Sequence, residues 1–302
     1  LGADVCLEGF GEQQQQSYTK EQEEHMLQEA VQAAEEADIV VLAIGEDRLQ
    51  SGEATSNANI RIPEVQEALL DRIAEVNQNI VVVLFSGRPL DIREINKKAK
   101  AILQVWLPGT EGARAIADTL FGKYNPSGKL PMSFPYCVGQ VPVHYNEYST
   151  GRPHVEGKDK DRFRSKYLDI PNEPLYPFGY GLSYTTFEVS DIHLDRTWMD
   201  TSGQIEAEVT VKNTGNCTGT ETLQLYIHDI AASVVRPVRE LKDFKKVTLR
   251  PGEEKKVVFT ITEQQLLFLT ENGIYESEAG EFEIFIGKDS LTDNKASFVL
   301  KK

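Results

Sequence analysis

Apolar and polar positions along this chain change rhythm once, near Phe187. Upstream, the spacing alternates between helical repeats and short, wholly apolar runs. Between residues 21 and 37, Met26, Ala30, Val31, Ala34 and Ala37 recur at helical spacing on an otherwise charged face, which predicts an amphipathic helix. The run Ile39-Val40-Val41-Leu42-Ala43-Ile44 follows as a strand. Pro63, which a first helical turn tolerates, opens a second helix marked by Val65, Ala68, Leu69, Ile73 and Val76. Residues 80–85 read as a second strand with the exit loop Ser86-Gly87-Arg88-Pro89-Leu90, followed by a short helix over 92–96. Residues 101–106 read as a third strand, and Leu107-Pro108-Gly109-Thr110 leads into a helix over 111–121 with Thr110 a candidate N-cap. Apolar runs alternating with helices predict a parallel sheet covered on both faces.

From Phe187 onward the period becomes two. Residues 205–211 and 221–227 alternate around the turn Asn213-Thr214-Gly215-Asn216, and 241–249, 255–261 and 280–286 add further strands. Several short strands in about a hundred residues, without a bridging cysteine pair, describe a β-sandwich of fibronectin type III character. The expected fold is therefore an α/β layered sandwich with a mainly parallel sheet, followed by an all-β fibronectin type III-like sandwich. The expected domains are 1–150, an irregular bridging segment at 151–186, and 187–302. The stretch from about 136 to 185 carries Gly, Pro, Tyr and mixed charge without periodicity, and is too long for an ordinary connection.

Composition narrows the classes of function. A formal net charge of -15 over 302 residues argues against nucleic acid and anionic membranes as partners, and suits a neutral ligand as well as plain solubility. No apolar run approaches the roughly 18 residues of a membrane span. Cys6, Cys137 and Cys217 form no CxxC and no disulfide framework, and the five histidines show no ligand spacing, so no metal or cofactor is expected. Asn216-Cys217-Thr218 fits the glycosylation sequon, a tripeptide common by chance. No GxSxG or phosphate-binding glycine loop appears. Leu1-Gly2-Ala3-Asp4-Val5 carries neither an initiator Met nor a leader and reads as the interior of a longer protein.

The candidate chemistry lies in the loop after the first strand, Gly45-Glu46-Asp47-Arg48-Leu49-Gln50-Ser51-Gly52-Glu53-Ala54-Thr55-Ser56. Ligands of open α/β sheets bind outside the carboxyl ends of the strands, and functional groups concentrate on such loops. Glu46, Asp47 and Glu53 are each candidates for a glycosidase-like proton donor, and position alone does not choose among them. Their bland alternative is a solvated acidic loop, or caps for the helix opening near Pro63. Arg88, on the neighbouring strand exit, is placed either to orient a carboxylate of this loop or to contact substrate.

Taken together, the motifs resemble the C-terminal part of a family 3 glycoside hydrolase of the β-glucosidase type. Those that carry the resemblance include Gly52-Glu53-Ala54-Thr55-Ser56, Ser86-Gly87-Arg88-Pro89-Leu90 and Trp106-Leu107-Pro108-Gly109-Thr110-Glu111-Gly112. The strongest is Leu120-Phe121-Gly122-Lys123-Tyr124-Asn125-Pro126-Ser127-Gly128-Lys129-Leu130-Pro131-Met132-Ser133-Phe134-Pro135. Leu175-Tyr176-Pro177-Phe178-Gly179-Tyr180-Gly181-Leu182-Ser183-Tyr184 and Arg236-Pro237-Val238-Arg239-Glu240-Leu241-Lys242-Asp243-Phe244 follow in the same order, so the resemblance spans essentially the whole chain.

The family's layout implies a (β/α)8-type barrel before this region, carrying an Asp nucleophile, and a retaining mechanism in which the acid/base is a Glu from the sandwich loop. That Glu falls on Glu53, after Gly52 and before Ala54-Thr55-Ser56. Glu46, Asp47, Arg88 and Asn57 become candidates for loop support or substrate contact; many relatives carry Arg at the position of Asn57. The resemblance implies β-linked glucosides or oligosaccharides as substrates, with β-xylosides as the alternative sugar and a non-catalytic carbohydrate-binding or structural module as the alternative class. It also implies that residues 1–10 begin inside the α/β domain, with its first strand truncated. The chain by itself is expected to be inactive for want of the barrel's nucleophile. Oligomeric state stays open.

Overall fold

The computed structural model describes residues 18–47, 49–154, 157 and 161–302. The N-terminal ten residues, on which the expectation of a truncated first strand rests, lie outside them, as does Arg48. The chain divides into two compact units. One runs to Ala117 and takes in Pro135–Val141; the other comprises Asp118–Phe134 and Pro142–Lys302.

In the first unit, helix α1 (Lys20–Glu35) opens with a capping box in which the Thr19 hydroxyl accepts from the Gln22 amide and the Gln22 side chain accepts from the Thr19 amide. Strand β1 (Val40–Gly45), helix α2 (Glu64–Val76), strand β2 (Ile80–Phe85), helix α3 (Arg93–Lys98), strand β3 (Ala101–Trp106) and helix α4 (Gly112–Leu120) follow. The strands form a parallel sheet in the order β1-β2-β3, with Val40 opposite Ile80 and Val81 opposite Ala101. This is the alternation that the apolar runs predict. Central β2 is the most deeply buried, with Ile80, Val82 and Leu84 fully shielded. Leu70 and Ile73 of α2 are buried in the same unit. The Asn77 side chain donates to the carbonyls of Ala34 and Ala37, tying the end of α1 to the end of α2.

The second unit contains a β-sandwich. One sheet runs β10 (Glu254–Thr262), β7 (Gln204–Asn213), β4 (Phe187–Val189), with the short β5 (His193–Leu194) also on β7. The other runs β6 (Trp198–Asp200), β14 (Lys295–Lys301), β13 (Gly280–Gly287), β8 (Gly219–Asp229), β9 (Glu240–Leu249). Helix α5 (Glu263–Leu266) and the small hairpin of β11 (Phe268–Leu269) and β12 (Tyr275–Glu276) complete the elements. Alternate residues of β7, from Ile205 to Val211, face a core shared with Phe259, Phe282 and Phe298.

Two features exceed the sequence-based expectation. The chain changes sheets between β5 and β6, and β6 then pairs in parallel with β14, Trp198 opposite Val299. Both strands are short and bounded by polar residues, which weakens a period-two signal. Between Gln140 and Phe187 no helix or strand occurs among the described residues, as the aperiodic sequence predicts. The Asn125 side chain and a buried Lys129–Glu221 ion pair at 2.7 Å bind the segment after α4 to the sandwich.

Candidate functional site

The carboxyl ends of the three parallel strands form one rim, and backbone strain collects there. Gly45 ends β1 at φ 139°, and a Cβ on it would sit 1.8 Å from the Phe85 carbonyl oxygen, so the close strand approach demands glycine. At the end of β3, a register shift pairs Phe85 with Trp106, which holds a positive φ of 54°. Bulky residues rarely adopt that conformation, and bulges beside functional sites re-aim side chains. The Gln66 side chain of α2 accepts from the Gly45 amide and donates to the Gly45 carbonyl, pinning the point where the loop departs.

The loop's three carboxylates have three different fates. Glu46 is buried, its side chain 5% exposed, and its Oε1 lies 2.9 Å from Arg88 Nε. The Gly87 amide also donates to Glu46, at 3.3 Å. Asp47 folds back locally: its Oδ1 accepts from the amides of Leu49 and Gln50, while the Gln50 side chain accepts from the Asp47 amide. Glu53 is exposed, and among the described residues its side chain has no hydrogen-bond or ion-pair partner. None of the three caps α2, whose N-cap is Pro63 without a side-chain bond.

Arg88 links these parts. Besides Glu46, its Nη2 donates to the Gln50 carbonyl at 2.6 Å and the Thr55 carbonyl at 2.9 Å. Asn57 reaches the same Gln50 carbonyl with its side-chain amide at 3.1 Å. Between these anchors, Glu53 sits in a tight turn flanked by Gly52 at φ 138° and Ala54 at φ 59°. The Thr55 hydroxyl closes that turn by donating to the Gly52 carbonyl at 2.6 Å. A residue other than glycine in the left-handed region costs about 1–2 kcal/mol, so Ala54 marks strain beside Glu53.

The structure thus brings Glu46, Arg88 and Asn57 together around the loop backbone, keeps Asp47 in its own turn, and leaves Glu53 outward. Sequence reasoning did not single out Gln50, Gln66 or Thr55. Gln66 had a legible signal, a polar residue within the helix pattern of α2 one turn after Pro63. The contacts of Gln50 and Thr55 with Arg88 are made by main-chain carbonyls, which leave no trace in residue type. Among the described residues no group of three or more His, Cys, Asp or Glu side chains is placed to hold a metal ion.

A parallel sheet with a polar loop at its carboxyl rim is thus followed along the chain by a β-sandwich. The sequence matches the Glycosyl hydrolase family 3 C-terminal domain over residues 5–184 and a Fibronectin type III-like domain over residues 221–290. The chain belongs to glycosyl hydrolase family 3. It is 48% identical over 275 residues to a periplasmic beta-glucosidase of Salmonella typhimurium, covering 91% of this chain and 36% of that protein. A putative beta-xylosidase of Formosa agariphila is 38% identical, over 93% of this chain and 37% of its own length. Among solved structures, a beta-glucosidase from Listeria innocua in complex with glucose superposes with a TM-score of 0.88 at 40% identity, over 95% of this chain and 39% of that one. The chain thus spans little more than a third of the length of these relatives.

Proposed function

We propose that this chain is the C-terminal portion of a retaining, exo-acting β-glucosidase that removes terminal β-D-glucosyl residues, with Glu53 as its general acid/base. The observation that carries the reading is the division of labour in the loop. Glu46 is committed to Arg88 and Asp47 to two amides, while Glu53 keeps both carboxylate oxygens free at the rim of the sheet. In retaining hydrolysis one carboxylate attacks the sugar while the other, about 5–5.5 Å away, protonates the departing oxygen and then takes a proton from the incoming water. Glu53 fills the second role. The nucleophile is an Asp on a barrel domain elsewhere in the full-length protein, and that barrel is also what desolvates Glu53, since an acid catalyst works in a partly water-excluded site. β-Linked glucosides and oligosaccharides are the substrates.

In the full-length enzyme, Glu53→Gln is expected to lower kcat/KM for alkyl β-glucosides far more than for 2,4-dinitrophenyl β-glucoside, whose leaving group needs no proton. Equal losses on both substrates overturn the acid/base role. The isolated 302-residue chain is expected not to turn over aryl β-glucosides, and turnover by highly purified chain refutes the placement of the nucleophile elsewhere. A second reading, β-xylosidase, is favoured by the xylosidase relatives. A higher kcat/KM of the full-length enzyme on aryl β-xyloside than on aryl β-glucoside selects it, and no turnover of either makes this a non-catalytic module.

A further inference from the structure

We propose that Arg88 is the positioning residue of the Glu53 loop: one guanidinium, neutralised by buried Glu46, clasps the main chain on both sides of Glu53 and sets where its carboxylate stands. This rests on the reading of Glu53 as the acid/base. The span from Gln50 to Thr55 can reach about 17 Å when extended. Both of its end carbonyls instead converge on a single nitrogen, Arg88 Nη2. Glu53 lies inside the span, so its backbone cannot drift without breaking one of those bonds.

The clasp needs three properties at once. Its cation must be planar, so that Nε meets Glu46 while Nη2 meets two carbonyls; the point charge of a lysine offers no such fork. Its counter-ion must be held still, and Glu46 is buried and also bonded by the Gly87 amide. Its seat must admit the loop closely. A Cβ on Gly87 would lie 1.8 Å from Ser51 Oγ, so this glycine lets the loop rest against the strand exit. Asn57 adds a neutral bond to the Gln50 carbonyl that Arg88 already holds. The Nε and Nη2 donors are directed at protein groups, and through them Arg88 acts on the loop and Glu53.

Hydrogen exchange on the 302-residue chain reads the clasp without reference to activity. Arg88→Lys and Arg88→Ala are expected to speed exchange of the 49–57 amides about tenfold or more while the β2 amides keep their protection. Unchanged loop exchange in both variants overturns the proposal. Loss of β2 protection in both also overturns it, because Arg88 then supports the fold as a whole. Gly87→Ala is expected to loosen the same amides, and adding Ser51→Gly to restore them. In the full-length enzyme, Arg88→Lys is expected to cost about 10- to 100-fold in kcat/KM on alkyl β-glucosides and under about threefold on 2,4-dinitrophenyl β-glucoside, with KM little changed. Equal losses on both, where Glu53→Gln does discriminate, overturn the positioning role. If Glu53→Gln itself does not discriminate, the acid/base reading falls while the exchange result still decides whether the clasp exists.

Discussion

The β-sandwich and the parallel sheet bury their strands to different extents. In the sandwich, β8 hides Leu223, Leu225, Tyr226 and Ile227 within a single strand, and Phe259 of β10 is fully buried. In the α/β unit only β2 is treated that way. On β1 Val41 is 53% exposed, and β3 is half-buried along almost its whole length. Parallel sheets are ordinarily covered on both faces, and among the described residues of this chain β2 comes nearest to that. The sandwich spends its residues on closing a core. The α/β unit carries the two non-glycine residues at positive φ among the described residues, Ala54 and Trp106, and the Glu46–Arg88 ion pair that holds a loop. The candidate loop leaves the rim of the less enclosed sheet, beside β2, its most deeply buried strand.

That contrast can be broken by substitution. The two tryptophans, Trp106 and Trp198, fall one in each unit, so Trp106→Phe and Trp198→Phe backgrounds let fluorescence-monitored urea unfolding report the units separately. The largest effect is expected for Phe259→Ala, about 3–5 kcal/mol on the sandwich transition, because the emptied site lies in a closed core. Leu103→Ala on β3 should cost only about 1–2 kcal/mol, and a loss equal to that of Phe259→Ala would erase the difference between the regions.

Glu46→Ala comes next, at about 2–3 kcal/mol on the α/β transition, since it strands the Arg88 charge in a partly desolvated place. Adding Arg88→Ala should cost less than the sum of the two single changes; additivity would mean that the pair is not coupled.

A smaller effect concerns Asp229, whose carboxyl is pushed above its ordinary range mainly by burial, with Glu278 adding to the rise and Arg236 and His228 opposing it. Its Oδ2 has no hydrogen-bond partner among the described residues. With the folded value above the unfolded one near 3.9, its contribution to stability is complete below about pH 4 and is lost as pH rises through the folded value. Asp229→Asn should therefore raise Tm at pH 7 and give no gain near pH 4. A gain of the same size at both values removes the titration as its cause. Least of all, Val41→Thr should change stability by under about 0.5 kcal/mol. A loss above about 1 kcal/mol would mean that β1 is covered in solution.

Much of the fold was legible in the sequence because each element carries its own period. The apolar runs at 80–85 and 101–106 need no partner to declare themselves strands, and the alternation of Ile205 through Val211 names its own buried face. Less legible were β6 and β14, where three to seven residues leave little room for a period, and the change of sheet before β6, which depends on the partner strand. The candidate loop was legible as a place. Its Gly, acidic and Ser/Thr composition after an apolar strand points to a rim, and motif resemblance points to Glu53. What each of its side chains does was not legible, because Glu46, Asp47 and Glu53 are the same chemistry within eight residues.

The sequence by itself determined the order of elements, the two kinds of sheet and the stretch of chain that forms the candidate loop, since periodicity and turn residues are local properties. Asp47 is spent in its own turn by neighbouring amides, but tertiary structure alone decided that Glu46 is buried and Glu53 left free. Those fates depend on Arg88, Gly87 and Gln66, brought to the loop from other strand ends and helices by parallel pairing, and on main-chain carbonyls that every residue type possesses alike.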